Sequence, residues 1–115
     1  MSETTDVQGW IDQTVKTNDI VLFMKGTRDV PQCGFSDRVR RILNHYGVQY
    51  KDINVLEDMS VREGIKAYTN WPTIPQLYVK GEFIGGADIV MEMYQSGELE
   101  QYLREKGVEF SPAVA

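Results

Sequence analysis

The chain has 115 residues, 17 of them Asp or Glu against 12 Lys or Arg, for a formal net charge of −5; that is the length of one domain able to bury a core without covalent staples. A single cysteine excludes an internal disulfide framework, the acidic balance argues against a general nucleic-acid binder, which needs a basic face for phosphate, and no apolar run approaches the ~18–20 residues of a membrane span. A polar N-terminus without a signal-peptide core and a lone thiol suited to a reducing compartment make a cytoplasmic protein the expectation.

Val7, Trp10, Ile11 and Val15 recur at helical spacing, with Thr4, Thr5 or Asp6 available as caps. Thr17-Asn18-Asp19 interrupts this helix before an apolar strand from Ile20 to Lys25. Because that strand does not alternate, it is expected to be covered on both faces and to lie centrally in a sheet. A loop from Gly26 to Gln32 leads to Cys33. From Phe35 the residues Val39, Ile42, Leu43 and Tyr46 form one helical stripe, with Gly47 as its C-terminal stop. His45, near that end, reads as a C-terminal cap or a solvated residue rather than a metal ligand.

Val48 to Ile53 predicts a second strand, joined to the first by a right-handed crossover and hence parallel to it. Ser60-Val61-Arg62-Glu63 matches a capping box, and Val61, Ile65 and Tyr68 supply the buried stripe of the helix that follows. Arg62 and Lys66, four residues apart, share one flank; by themselves they read as a solvated basic edge. Asn70-Trp71-Pro72-Thr73-Ile74-Pro75 is stiffened by two prolines; only about 5–6 % of X–Pro bonds in folded proteins are cis, so composition alone expects Pro75 to be trans. Gln76–Val79 and Glu82–Ile84 flank the two-residue turn Lys80-Gly81. Gly85-Gly86-Ala87-Asp88 opens a helix through Ile89, Val90, Met93 and Tyr94, with Asp88 a candidate N-cap. After Gly97, Leu99, Tyr102 and Leu103 continue a short last helix ending at Gly107, beyond which the tail to Ala115 is expected to be loose. The order α-β-α-β-α-β-β-α-α implies an α/β three-layer sandwich of the thioredoxin-like kind, a four-stranded mixed sheet flanked by helices, as a single domain over residues 1–115 with about 5–107 ordered.

Chemistry concentrates at Cys33. A thiol where a strand turns into a helix sits among unpaired N–H groups at the positive end of the helix dipole, and such surroundings bring a free thiol from about 8.5 to roughly 3.5–7.5. The alternative is a small buried hydrophobe, as many free cysteines are. Lys25, Arg28, Arg38, Arg40, Arg41, Arg62 and Lys66 fall in the first two-thirds of the chain, while Glu92, Glu98, Glu100, Glu105 and Glu109 crowd its end. A local basic site on an acidic protein suits a small anionic ligand.

Four pieces stand in order: K-G-T at Lys25–Thr27, C-G-F-S at Cys33–Ser36, N-W-P-T-I-P-Q at Asn70–Gln76, and G-G-A-D at Gly85–Asp88. Together, over roughly Thr5 to Gly107, the chain resembles the monothiol, C-G-F-S-type glutaredoxins in their short single-domain form. That resemblance implies a homodimer bridged by a 2Fe–2S cluster, ligated by Cys33 of each protomer and by two glutathione molecules, and passed on to apo iron–sulfur proteins. It further implies BolA-like proteins as heterodimer partners. By the same resemblance Lys25, Arg62 and Lys66 hold the glycine carboxylate of glutathione, and the Ile74 backbone before a cis Pro75 pairs with its cysteinyl part. Ala87 and Asp88 take the γ-glutamyl end, Gly86 beside them belongs to the same binding set, Trp71 and Thr73 shape the groove, Phe35 walls the cluster, and Gly34 lets backbone approach it. Many relatives carry cysteine where this chain has Ala87, so an internal resolving thiol is absent here. Two further readings remain: a glutathione-dependent oxidoreductase with Cys33 as nucleophile, and a thioredoxin-like adaptor with an idle thiol.

Overall fold

The computed structural model describes residues 3–110, with side-chain surroundings from Val7 onward. Its elements are α1 (Glu3–Thr17), β1 (Ile20–Met24), α2 (Gly34–Tyr46), β2 (Lys51–Asn54), α3 (Met59–Thr69), β3 (Gln76–Val79), β4 (Glu82–Gly85), α4 (Ala87–Ser96) and α5 (Glu98–Glu105). This is the expected order. The strands form one sheet in the order β2-β1-β3-β4. β1 runs parallel to β2, with Val21 beside Lys51, and antiparallel to β3, with Leu22 beside Leu77.

The unalternating apolar β1 is central, and every one of its residues is buried. Alternate side chains feed two separate cores because successive residues of a strand point to opposite faces. Ile20, Leu22 and Met24 meet Val39 and Leu43 of α2, Val90 of α4 and Leu99 and Leu103 of α5. Val21 and Phe23 meet Ile11 and Val15 of α1 and Val61 and Ile65 of α3. The result is the three-layer thioredoxin-like sandwich.

Local differences from the sequence reading have identifiable causes. The second strand begins at Lys51, not Val48, because residues 48–50 have no partner in β1, whose register with β2 starts at Val21 beside Lys51; Val48 and Tyr50 are buried all the same. α3 is capped by Asp58, whose carboxylate accepts from the Ser60 N–H at 2.9 Å, so the Ser60 capping box does not form. Thr4, Thr5 and Asp6 lie inside α1 rather than capping it. Gly86 is the N-cap of α4, which frees the Asp88 side chain from that role. Lys80 and Gly81 are both left-handed (φ 52° and 82°), the turn that matches the twist of a two-residue hairpin. Packing also continues past Gly107: Val108 is buried and Phe110 lies edge-on to Tyr46, centroids 5.3 Å apart. Residues 111–115, the rest of the expected loose tail, lie outside the described residues.

Leu43 is fully buried at the centre of the α2 layer. Leu43→Ala is expected to lower unfolding stability by about 2–5 kcal/mol, read from denaturant melts, because the cavity it leaves is walled by three helices and a sheet.

Candidate functional site

Cys33 is the N-cap of α2, with extended backbone (φ −153°, ψ 133°), and its side chain makes no capping hydrogen bond. Burial pushes the thiol up, but the N–H groups of Ser36 and Phe35, the Lys25 ammonium and the Ser36 hydroxyl together outweigh it, so the Cys33 pKa is held below that of an ordinary thiol. Ser36 also ties the two sides of this joint. It is fully buried, and its Oγ accepts the Lys25 N–H at 3.1 Å, which anchors the lysine backbone to the first turn of α2. Lys25 itself lies just past the end of β1, where its side chain is no longer committed to the core.

The intervening loop is pinned at several points. Gly26 and Pro31 form an isolated bridge, the Gln32 N–H donates to the Lys25 carbonyl at 2.9 Å, and the Thr27 N–H donates to the Val30 carbonyl at 3.1 Å. Gly26 has φ 94°, and a Cβ there would fall 2.5 Å from the Val30 carbonyl oxygen; only glycine fits. Arg28 then clasps the loop to β2. Its N–H donates to Asp52 Oδ2 at 2.9 Å, its Nε to Asp52 Oδ1 at 3.2 Å, and its guanidinium to the Tyr50 carbonyl. Burial pushes the Asp52 carboxyl up, yet the Arg28 N–H and charge bring it net below the ordinary carboxylate value.

The joint faces an open groove of about 370 Å³. On one side stand Lys25, Cys33 and the exposed Phe35; Arg62 and Lys66 of α3 stand on another. The floor is Pro72 to Pro75, with the Ile74–Pro75 bond cis, as the family resemblance implies and the bare statistics do not. Ala87 and Asp88, in the first turn of α4, close the groove. Arg62 Nε is buried without a hydrogen-bond partner, and neither Arg62 nor Lys25 makes an ion pair among the described residues. Lys66 reaches Glu63 only at 4.0 Å. Cations so little neutralised from within suit an anionic ligand.

Three expected site residues, Gly34, Trp71 and Gly86, stand outside the groove lining. Gly34 is exposed at the start of α2, and a Cβ there would meet nothing within the chain. Trp71 packs on Phe83, centroids 5.7 Å apart, behind the buried N-cap Gly86, whose Cβ would come within 3.4 Å of the indole Nε1. His45 is exposed in the last turn of α2, edge-on to Tyr94 at 5.7 Å. Sequence reasoning overlooked Pro72, Ser36 and Gln76. The C-G-F-S motif contains Ser36, but only its burial reveals what the hydroxyl does.

The Glutaredoxin family model matches residues 20–84, which spans the thiol joint, α3 and the cis-proline loop. A Synechocystis monothiol glutaredoxin is 56 % identical over 93 residues, covering 81 % of this chain and 87 % of that one. This chain is a monothiol glutaredoxin. Among solved structures, reduced poplar apo GrxS14 superposes with a TM-score of 0.81 at 44 % identity, covering 91 % of this chain and 97 % of that one. A buckwheat glutaredoxin–glutathione complex does so at 0.80 and 27 % identity, covering 93 % and 97 %. The thiol joint is thus placed on the family's own scaffold. No helix among the described residues is long and apolar enough to cross a membrane, and named relatives include chloroplastic and mitochondrial proteins.

The depressed Cys33 pKa means that thiolate persists to lower pH than in an ordinary thiol. Iodoacetamide alkylation is therefore expected to have its pH midpoint below that of an unstructured cysteine peptide assayed beside it, and Lys25→Gln to move the midpoint upward; a midpoint unchanged in the variant removes Lys25 from the set of groups favouring thiolate. Asp52→Ala is expected to accelerate amide hydrogen exchange across residues 26–32 while β1 and β3 stay protected, because it removes both Asp52 bonds to Arg28 and leaves the core intact.

Proposed function

We propose that this chain carries 2Fe–2S clusters as cargo between proteins. The observation behind the reading is a lone, partly exposed cysteine of lowered pKa at the mouth of a groove shaped for a small anion. Such a cluster takes four sulfur ligands. Each chain offers one thiol, and among the described residues no group of three His, Cys, Asp or Glu stands ready for a metal ion. The residues fit the cluster only as contributors of one ligand each, with a second copy of the chain and two small thiols completing the set.

Glutathione fits as that small thiol. Its two carboxylates and one ammonium match the charge arrangement of the groove: Lys25, Arg62 and Lys66 for the glycine end, the backbone N–H of Ala87 and Asp88 for the γ-glutamyl carboxylate, and the Asp88 carboxylate for the ammonium. The Ile74 backbone, on the groove floor, pairs with the cysteinyl part and leaves its sulfur facing Cys33. A solved relative from buckwheat holds glutathione. Phe35, more than half exposed, walls the cargo, and Gly34 adds no side chain between the two protomers. Half of the ligands are dissociable tripeptides, so the cargo is releasable. BolA-like proteins would take the place of one protomer in a heterodimer.

The lowered Cys33 pKa also favours a second reading, reduction of protein–glutathione mixed disulfides. Cys33 thiolate attacks the glutathione sulfur, the protein thiolate leaves, and a second glutathione thiolate then cleaves the Cys33–glutathione disulfide, releasing oxidised glutathione and restoring the thiolate. Ser36 stands where a resolving cysteine three residues on would be, so every turnover depends on glutathione from solution, and slow turnover is expected. Anaerobic reconstitution with iron, sulfide and glutathione, followed by visible absorption and molecular mass, separates the two. The carrier reading expects a coloured dimer that forms only with glutathione and reverts to monomer when the cluster is lost, with Cys33→Ser colourless and still folded. A colourless monomer throughout, with brisk glutathione-dependent reduction, overturns it in favour of the oxidoreductase.

A further inference from the structure

Much of the groove wall is borne by α2, α3 and α4, but its floor is a loop, and a loop needs something beneath it. Residues 70–75 contain two prolines and belong to no helix or strand, so they cannot be held by a backbone ladder. Directly after them comes Gln76, which is fully buried. A buried amide of this kind costs stability unless its donors and acceptor are met. Here all are met. Nε2 donates to the Trp71 carbonyl at 3.1 Å and to the Thr73 carbonyl at 3.2 Å. Oε1 accepts from the Tyr78 hydroxyl at 3.0 Å and lies 3.1 Å from the Thr69 hydroxyl, which it shares with the Ile65 carbonyl at 2.9 Å.

We infer that Gln76 is a positioning residue for the ligand groove: its amide ties the carbonyls of the floor loop to two hydroxyls anchored in α3 and β3, and so fixes where Thr73 and Ile74 present themselves to the bound tripeptide. The chemistry is selective. Two donors must face two carbonyls while one acceptor faces two hydroxyls, which an amide supplies in a single planar group. A carboxylate would set negative oxygen against two carbonyls, and an apolar side chain would take this partner from the Trp71 and Thr73 carbonyls and from the buried Tyr78 hydroxyl. The anchors are firm. Tyr78 packs edge-on to Phe23 of the central strand at 5.6 Å, and Thr69 is in the last turn of α3, the helix that also carries Arg62 and Lys66. Through Gln76 the floor is therefore registered to the same helix that supplies the cations.

The inference rests on glutathione as the ligand of this groove. The test is a titration of the reduced full-length protein with glutathione under anaerobic conditions, followed by amide chemical shifts, run beside Cys33 alkylation across pH. Gln76→Met is expected to bind glutathione about tenfold more weakly, as when a residue supporting a binding group is removed. Its alkylation midpoint should remain that of wild type, since the hydrogen bonds of Gln76 go to Thr69, Trp71, Thr73 and Tyr78 and none to Lys25 or the α2 joint. A Leu99→Ala control, destabilised in the opposite layer, should retain wild-type affinity. Should Gln76→Met not fold, Thr69→Val combined with Tyr78→Phe unpairs Oε1 alone and is expected to weaken binding about threefold. Wild-type affinity in the folded Gln76 variant, or an equal loss in the Leu99 control, overturns the assignment. Absence of binding by the wild-type protein overturns the ligand itself, a separate result from either.

Discussion

The field at the start of α2 is the constraint on which the other features of this protein depend. A helix begins with N–H groups that no preceding turn can satisfy, and here those of Phe35 and Ser36 favour the thiolate form of Cys33. That use requires the helix to start at the cysteine, the preceding strand to end just before it, and the connecting loop to return without covering the thiol. Each requirement is visible in the molecule. β1 stops at Met24, Gly26 makes a bend open to no other residue, Arg28 draws the loop down on β2, and Ser36 closes the gap between Lys25 and the first helical turn. A thiol in the same sequence context without these fastenings would be an ordinary surface thiol.

Around that point the groove is assembled from groups with little else to satisfy them. Arg62 keeps a buried Nε without a partner, and Asp88 is spared capping duty by Gly86. Elsewhere the charges are paired: Arg40 and Arg41 share Asp37, and Lys80 meets Asp19. Charge that is left unneutralised around one concavity, on a protein whose other cations are largely spoken for, is a physical signature of a ligand with its own charges.

Much of this was legible beforehand, and for definite reasons. The apolar run Ile20–Met24 could only be a strand covered on both sides, and that located the sheet. The glycines at 47, 81 and 97 stop or turn the chain wherever they occur. The Arg62/Lys66 pair and the cis proline were different: periodicity saw a solvated edge and a trans bond, and only the assembled motifs pointed to a groove. What stayed hidden were partnerships made by burial. Nothing in the spacing of Asp58 distinguishes it from Ser60 as a cap, because the decision lies in the backbone, which is still extended at Asp58 and helical from Met59. Tyr50 lies outside β2 since β1 offers it no partner. Gln76 and Ser36 are polar letters in a strand and in a helix, and their roles exist only once neighbours from elsewhere in the chain close over them.

The division of the interior into two cores has one more consequence. The sheet separates them, yet the groove draws one wall from each side: Cys33 and the start of α4 are seated on the core shared with α5, whereas α3 and the proline loop are seated on the core shared with α1. Substitutions deep in one layer have no common neighbours with those in the other, and changes at such separated positions add rather than interact. The half of the site that carries Cys33, Ala87 and Asp88 and the half that carries Arg62, Lys66 and the proline loop can therefore drift independently over evolutionary time, each tuned by repacking its own layer.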